Sequence, residues 1–177
     1  ITLNSPEGNP VAVATFTESD EGLTITVTSE GDSGLEAGEH GVHIHEYGVC
    51  TPSEGDEPFS DAGGHFNPMG TQHGGPDGQE AHAGDLGNLM VEDDGSIDFE
   101  ITTDQLTLEP GADNSLADED GSAIVIHANP DDLETDPSGE SGGRVACGTI
   151  FQHPLAMEGT PVATPVELET EDATPAN

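Results

Sequence analysis

The stretch Leu23-Thr24-Ile25-Thr26-Val27-Thr28 alternates an apolar residue with threonine at every step. Successive side chains of a β-strand point to opposite faces, so this pattern predicts a strand with one buried and one exposed face. The preceding stretch Val11-Ala12-Val13-Ala14-Thr15-Phe16-Thr17 alternates in the same way, and Asp20 and Gly22 between the two mark a turn. Both stretches indicate an all-β protein.

Six further short segments of the same kind follow or flank this pair, separated by Gly, Asn, Asp and Pro. No segment of ten or more residues has a convincing helical period. Eight short strands with turn signals between them favour an antiparallel sandwich or barrel. The predicted strands are residues 1–4, 11–19, 22–28, 40–47, 86–92, 96–102, 122–128 and 144–151.

Two connections, residues 48–84 and 129–143, are too long for simple turns. Loops longer than about 12–15 residues in a compact domain are usually functional or disordered. The first contains three His and a Cys, so we expect cross-links to order it. The second, taken alone, is typical of a solvated acidic loop. These boundaries predict one domain over residues 1–152, followed by an acidic Pro/Thr-containing tail over residues 153–177 that is disordered or a spacer.

The chain carries 37 acidic residues, one Arg and no Lys, for a formal net charge of −36. Binding to nucleic acid or to an anionic membrane surface requires clustered cations, so both are excluded. No apolar run is long enough to insert in a membrane. With 31% hydrophobic residues, the composition alone favours disorder. The strong strand patterning favours instead a folded protein. Molar salt shortens the Debye length to about 3 Å and screens the repulsion between surface charges, so the acidic composition favours a protein from a salt-loving organism.

Histidines occur in a pattern that suggests metal binding. His43 and His45 lie at positions i and i+2 of a predicted strand and therefore on one face, although such a pair alone is weak evidence. Three His at spacings of 8 and 9 are followed by an Asp, a donor set that suits a tetrahedral zinc site. They are His65, His73, His82 and Asp85. His127 ends an apolar strand, where a lone His is more often a core residue than a ligand.

In combination the motifs resemble the copper/zinc superoxide dismutase family, in the family's order and over roughly residues 1–151. The matching stretches are His40-Gly41-Val42-His43-Ile44-His45-Glu46, Gly64-His65-Phe66-Asn67-Pro68, His82-Ala83-Gly84-Asp85-Leu86-Gly87-Asn88, Ile126-His127-Ala128-Asn129-Pro130-Asp131-Asp132 and Gly143-Arg144-Val145-Ala146-Cys147-Gly148. The resemblance implies an eight-stranded antiparallel Greek-key β-barrel, an Ig-like sandwich, with a long metal-binding loop and a second active-site loop. It also implies conversion of superoxide to oxygen and hydrogen peroxide by Cu(II)/Cu(I) cycling.

Carried over residue by residue, the resemblance implies two metal sites, and every family ligand is present, as in the two-metal branch. The copper ligands are His43, His45, His65 and His127, and the zinc ligands are His65, His73, His82 and Asp85. His65 is shared; it leaves copper on reduction and donates a proton to the nascent peroxide. His40 and His153 match no ligand position.

Three further roles come from the same resemblance. Asp131 matches the carboxylate that joins one copper His to one zinc His, here His43 and His73. Arg144, the only cationic side chain in the sequence, matches the Arg that guides superoxide to copper.

Cys50 and Cys147 match the family's intrachain disulfide; the alternative is two buried free thiols. A retained disulfide favours an extracellular, periplasm-like or cell-surface location. The chain starts at Ile1 without an apolar signal segment, so we expect any export signal to have been removed.

The chain departs from the family in its second long loop, which is acidic and contains no Lys. Superoxide dismutases are a standard example of electrostatic steering of a substrate, and this loop should repel the anion at low salt. The sequence therefore predicts activity that rises with ionic strength. A copper-binding or copper-delivery module and a zinc-stabilised adhesion domain are the alternative functions. The sequence favours neither a monomer nor a homodimer.

Overall fold

A computed structural model describes residues 1–29, 31–52, 57–76, 78 and 81–152. Those residues form eight strands and a short 3₁₀ turn at Ser60–Ala62, with no α-helix among them. The strands are β1 (Thr2–Asn4), β2 (Pro10–Ser19), β3 (Gly22–Ser29), β4 (Gly38–His45), β5 (Asp85–Val91), β6 (Ile97–Thr103), β7 (Ser122–His127) and β8 (Arg144–Phe151). Each predicted strand is present, and each end lies within two residues of its predicted position.

The strands form one closed barrel in the order β1-β2-β3-β6-β5-β4-β7-β8. Every neighbouring pair is antiparallel. β3 pairs with β6 and β4 pairs with β7, so the chain twice crosses an end of the barrel, as in a Greek key. The predicted fold class, an eight-stranded antiparallel Greek-key barrel, is confirmed.

Alternation along the strands fills the barrel interior with aliphatic side chains. On β3, Leu23, Ile25 and Val27 are buried while the threonines between them face outward. Burial of such side chains contributes about 1.5–3 kcal/mol each. β7 is buried on both faces because its Ile residues face the main core, whereas Ala123 and Val125 pack beneath the loop that follows β4.

A third long connection, residues 104–121, separates β6 from β7, so the prediction of only two was wrong. Leu106 and Leu116 from this segment are buried in the main core. The backbone N–H of Leu116 donates to the Thr107 carbonyl, which folds the segment back on itself. Isolated leucines among acidic and turn residues have no strand or helix period, so the sequence pattern did not reveal their burial.

The loop over residues 46–84 returns to β4 through closely packed backbone. The Ile44 N–H donates to the Gly84 carbonyl at 2.9 Å, and the Phe66 N–H donates to the Ile44 carbonyl at 2.8 Å. A Cβ at Gly84 would lie 2.4 Å from the Ile44 carbonyl oxygen, so only glycine permits this approach. The 46–84 loop is thereby fixed to β4, the strand that carries His43 and His45.

In the described residues, no helix has the length and apolar character needed to cross a membrane. The predicted tail, residues 153–177, lies outside the described residues, as does His153.

Candidate metal centre

Strand β4 supplies two imidazoles. Val42 and Ile44 point into the core and are fully buried, so alternation directs His43 and His45 to the opposite face. Loops cover this face, and the two histidines are only 0% and 1% exposed. The two imidazoles therefore lie on one face of the strand, shielded from water.

Two further imidazoles reach the same place. His65 lies in the 46–84 loop, where an isolated β-bridge pairs it with His45. His127 is the last residue of β7, which neighbours β4 in the barrel. One nitrogen from each of four buried rings lies within 4.8 Å of the others, forming the four-histidine cluster: His43, His45, His65 and His127.

Hydrogen bonds on the far side of three rings fix how this cluster is oriented. The acceptors are the Asp131 carboxylate for His43 Nε2 at 2.7 Å, the Gly63 carbonyl for His45 Nδ1 at 3.0 Å, and the Gly142 carbonyl for His127 Nδ1 at 3.1 Å. Since each of these nitrogens donates its proton outward, the other nitrogen of each ring presents a lone pair to the cluster.

A second cluster shares His65 with the first and is called the histidine–aspartate cluster: His65, His73, His82 and Asp85. Asp85 is the first residue of β5. Its Oδ1 lies 2.8, 3.1 and 3.3 Å from the Nδ1 atoms of His65, His73 and His82. Its Oδ2 accepts the backbone N–H groups of Gly74 and His82, both at 3.0 Å, which hold the carboxylate in place.

Four buried ring nitrogens have no well-oriented hydrogen bond among the described residues, although two of them lie near Asp85 Oδ1, at 3.1 Å for His73 and 3.3 Å for His82. They are His43 Nδ1, His65 Nε2, His73 Nδ1 and His82 Nδ1. Leaving a buried polar atom unpaired normally costs about 1–3 kcal/mol. All four belong to the two clusters, and a bound cation would satisfy each of them.

The Asp131 carboxylate joins the two clusters. Its Oδ2 accepts from His43 Nε2 at 2.7 Å, and its Oδ1 lies 2.9 Å from His73 Nε2. The Asn88 side chain in turn donates to the Asp131 carbonyl at 2.9 Å and accepts the Asp131 backbone N–H at 2.7 Å. Asn88 therefore fixes the backbone from which the bridging carboxylate projects.

Burial and neighbouring charges give the imidazole rings different pKa values. Burial and the adjacent rings lower the pKa of His127 to about 3. Burial also lowers the pKa of His65 to about 4, although Asp85 opposes the shift. For His73 burial acts in the same direction, but the carboxylates of Asp131 and Asp85 outweigh it and raise the pKa to about 10. At neutral pH a metal must therefore displace a proton from His73, whereas His65 and His127 already offer neutral rings.

A surface cavity of about 520 Å³, the mouth cavity, opens above the four-histidine cluster. His45, His65 and His127 line it, together with Arg144, the first residue of β8. Arg144 donates from Nη1 to the Phe59 carbonyl and from Nη2 to the Gly63 carbonyl. Burial lowers the pKa of Arg144, but a guanidinium remains charged at neutral pH.

Cys50 and Cys147 form the disulfide that the resemblance implied, with their Cα atoms 5.7 Å apart. Cys147 lies on β8, three residues after Arg144. The bond therefore ties the 46–84 loop to the strand that carries the only Arg of the chain.

All the site residues named from the sequence come together. His40 lies outside both clusters, and its two ring nitrogens lie 2.7 Å from the His127 carbonyl oxygen and 2.9 Å from the Glu36 carbonyl oxygen. Sequence reasoning missed three polar residues around the site. Asn88 appeared only as part of a motif, Asp136 only as part of an acidic loop, and Glu57 was not singled out. No spacing rule identifies them, because their contacts depend on the tertiary structure.

The model of one protein family, described as copper/zinc superoxide dismutase, matches residues 11–150. That span contains both clusters, Arg144 and the disulfide.

The chain belongs to the copper/zinc superoxide dismutase family.

Relatives within this family are similar over most of their length. The chain is 38% identical over 148 residues to a protein named superoxide dismutase [Cu-Zn] 2 of Aquifex aeolicus, covering 84% of this chain and 83% of that protein. It is 42% identical over 154 residues to superoxide dismutase [Cu-Zn] 2 of Brassica juncea, covering 84% and 93%. The crystal structure of a superoxide dismutase-like protein from Bacillus subtilis matches with a TM-score of 0.73 and 39% identity, covering 83% and 94%.

The donor sets fit the two metals of a copper/zinc superoxide dismutase. Four imidazole nitrogens suit Cu(II), and three imidazoles with one carboxylate suit tetrahedral zinc. The unpartnered nitrogens in both clusters are an independent sign that cations belong there. Copper and zinc are therefore the cofactors of this protein.

Proposed function

We propose that the protein is a superoxide dismutase that converts superoxide to oxygen and hydrogen peroxide. One arrangement carries the proposal: two metal-binding clusters share His65, and one of them lies beneath a cavity lined by the only cationic side chain of the sequence. Bound copper supplies the Cu(II)/Cu(I) couple, and bound zinc supplies a fixed positive charge.

The position of each cluster and the way its residues are held assign it to one of the two metals. We assign copper to the four-histidine cluster because it lies beneath the mouth cavity, where a small anion can reach it. We assign zinc to the histidine–aspartate cluster, where Asp85 accepts two backbone N–H groups and is held rigidly. Asp131 orients His43 in one site and His73 in the other, which is how outer carboxylates usually set ring direction.

Arg144 binds and orients the substrate. Its carbonyl partners, Phe59 and Gly63, hold the guanidinium at the cavity wall. A fixed cation next to the reacting centre stabilises an anion without reorganising when the anion arrives. We assign this role to Arg144.

His65 handles a proton. Its Nδ1 lies 2.8 Å from Asp85 Oδ1, and its Nε2 belongs to the opposite cluster. A ring fixed at Nδ1 can accept a proton at Nε2 and release it into the mouth cavity. His65 is thereby the proton donor for peroxide formation.

The disulfide supports the proposed location. Structural disulfides persist in oxidising compartments, so Cys50–Cys147 supports a protein that is extracellular, in a periplasm-like compartment or at the cell surface. We also propose that the functional domain spans residues 1–152.

The proposal is tested by metal analysis together with a superoxide-decay assay on metal-loaded protein in molar salt. The wild type should bind one copper and one zinc and accelerate decay. Arg144→Ala should keep both metals and lose about one order of magnitude in rate, as expected when a charged contact to a reacting anion is removed. Arg144→Lys should recover part of the rate because it restores the charge.

The same measurements separate the alternatives. Full copper loading without any acceleration of decay would point to a copper-binding or copper-delivery module. Zinc binding without copper would point to a zinc-stabilised adhesion domain. Either result would overturn the proposed activity.

A further inference from the structure

Two carboxylates line the mouth cavity together with Arg144. Glu46 follows β4 directly, and Glu57 lies in the 46–84 loop. The Glu46 Oε1 accepts the backbone N–H of Gly64 at 3.0 Å, so Glu46 helps to hold the loop in shape. Glu57 is exposed, and its charge acts on the Arg144 guanidinium.

No lysine or second arginine offsets these carboxylates. The sequence contains no Lys and no Arg except Arg144, against 37 acidic residues. Asp61 adds a further negative charge that acts on Arg144. An anion that approaches Arg144 therefore passes carboxylates at the entrance and meets a single cationic side chain.

We propose that Glu57 is a specificity-determining residue that opposes the entry of anions into the mouth cavity at low ionic strength. The inference rests on the proposed function, and it names one group that contributes to the salt dependence of access. Glu57 acts through its charge on the approaching anion and touches no reacting atom.

The size of the effect follows from Coulomb's law. In water, a unit charge changes the local concentration of a monovalent anion about 7 Å away by about threefold. At molar salt the Debye length is about 3 Å, so the effect should nearly vanish. Glu57 therefore slows entry in dilute buffer and has little influence in brine.

Glu57→Gln removes the charge and keeps the size of the side chain. The matched control is Glu100→Gln, the same change at an exposed position on β6, which lies four strands from β8 around the barrel. Both variants change the net charge equally, so a difference between them reports position and not overall charge. The rate of superoxide decay should be measured for metal-loaded wild type and both variants from low to molar NaCl.

In low salt, Glu57→Gln should react about threefold faster than wild type and show a weaker dependence on salt. Glu100→Gln should follow the wild type. Equal rates for Glu57→Gln and Glu100→Gln at every salt concentration would overturn the proposal.

A second measurement does not depend on turnover. Because Arg144 is the only Arg and Lys is absent, glyoxal reagents selective for arginine report on one side chain. The modification rate of metal-loaded protein by a sulfonated phenylglyoxal, divided by the rate with neutral phenylglyoxal, measures anion access to Arg144. Mass spectrometry follows the reaction.

At low salt this ratio should rise about threefold in Glu57→Gln and stay unchanged in Glu100→Gln. An unchanged ratio in Glu57→Gln would overturn the role of Glu57 even if the protein dismutes superoxide. A raised ratio in a protein that does not accelerate superoxide decay would support the role of Glu57 and overturn the proposed function. Failure of the role of Glu57 and failure of the proposed superoxide dismutase activity therefore give different results.

Discussion

The side chain of Asp136 accepts a hydrogen bond from the backbone N–H of His73 at 2.9 Å. Asp136 lies in the 128–143 loop and His73 in the 46–84 loop. The 128–143 loop also contains Asp131, whose Oδ1 lies 2.9 Å from Nε2 of the His73 ring. His73 is thus fixed at its backbone and at its ring by one neighbouring loop, so the geometry of the histidine–aspartate cluster depends on both loops.

Replacing Asp136 with Ala should weaken zinc retention. A hydrogen bond to a charged acceptor contributes about 1.5–3 kcal/mol, and partial exposure reduces this to about 1 kcal/mol here. We expect the His73 amide to exchange its hydrogen about fivefold faster and zinc to be lost sooner to a chelator. Hydrogen-exchange mass spectrometry and chelator competition measure the two effects.

Asp136→Asn is the matched control, because its amide oxygen still accepts from the His73 N–H. Retention close to wild type in Asp136→Asn would assign the effect to the hydrogen bond. If Asp136→Ala holds zinc as firmly as wild type, Asp136 does not position His73.

Removing the disulfide should destabilise the domain. Cys50 and Cys147 are 97 residues apart in the sequence, so their bond restricts the unfolded chain strongly. The double variant Cys50→Ser/Cys147→Ser should lose about 2–5 kcal/mol of unfolding free energy, measured with urea at constant salt. The sequence has no other cysteine, so wild type with a reductant is a direct control. A loss below about 0.5 kcal/mol in both would show that the bond does not support the fold.

Much of the fold could be predicted because alternation is strong where one face of a strand is buried. Leu23, Ile25 and Val27 alternate with threonines, and the structure buries these three side chains. β7 is different, since both of its faces are covered and its apolar run has no period of two. The choice between a sandwich and a closed barrel depends on pairing across the chain, which the family resemblance supplied and local pattern did not.

The site was predictable to the extent that its donors occur in short motifs. His43 and His45 share a strand face by simple alternation. Glu57 acts through the mouth cavity, and Asp136 acts through its contact with the His73 backbone. Both features form only after the two long loops fold. Their residue types are common throughout an acidic sequence, so composition hides them.

The metal-free protein should be most stable near neutral pH. The folded-state pKa values of His65 and His127 are about 4 and about 3, below their ordinary 6.5, so below pH 6.5 the unfolded chain binds more protons and stability falls. The pKa of His73 is raised to about 10. Its contribution is complete below pH 6.5 and is lost as pH rises through 10.

Urea unfolding of metal-free protein from pH 4 to pH 10, at constant salt, tests this profile. We expect a maximum between about pH 6 and pH 7 and a decline on both sides. His73→Gln should remove most of the alkaline decline and leave the acid side intact. A stability that climbs steadily to pH 10 in the wild type would contradict the assigned shifts.

Gly139 packs directly over the carboxylate that joins the two clusters. A Cβ at this position would lie 1.8 Å from Asp131 Oδ1 and 2.7 Å from His73 Nε2. Those distances are far below van der Waals contact, so the Asp131–His73 hydrogen bond cannot persist beside an alanine. The backbone at Gly139 also has a φ of +61°, which disfavours any side chain.

Gly139→Ala should therefore weaken both metal sites and lower the unfolding free energy by about 2–4 kcal/mol, combining backbone strain with the clash. Gly111→Ala separates the two causes, because Gly111 also has a positive φ, +89°, but a Cβ there would have no atom within 4 Å. Its loss should stay near 1 kcal/mol, and its metal content should equal that of wild type. Metal analysis and urea unfolding of both variants measure these differences. Equal losses in the two variants would mean that backbone strain alone explains Gly139, and that its contact with Asp131 does not hold the two sites together.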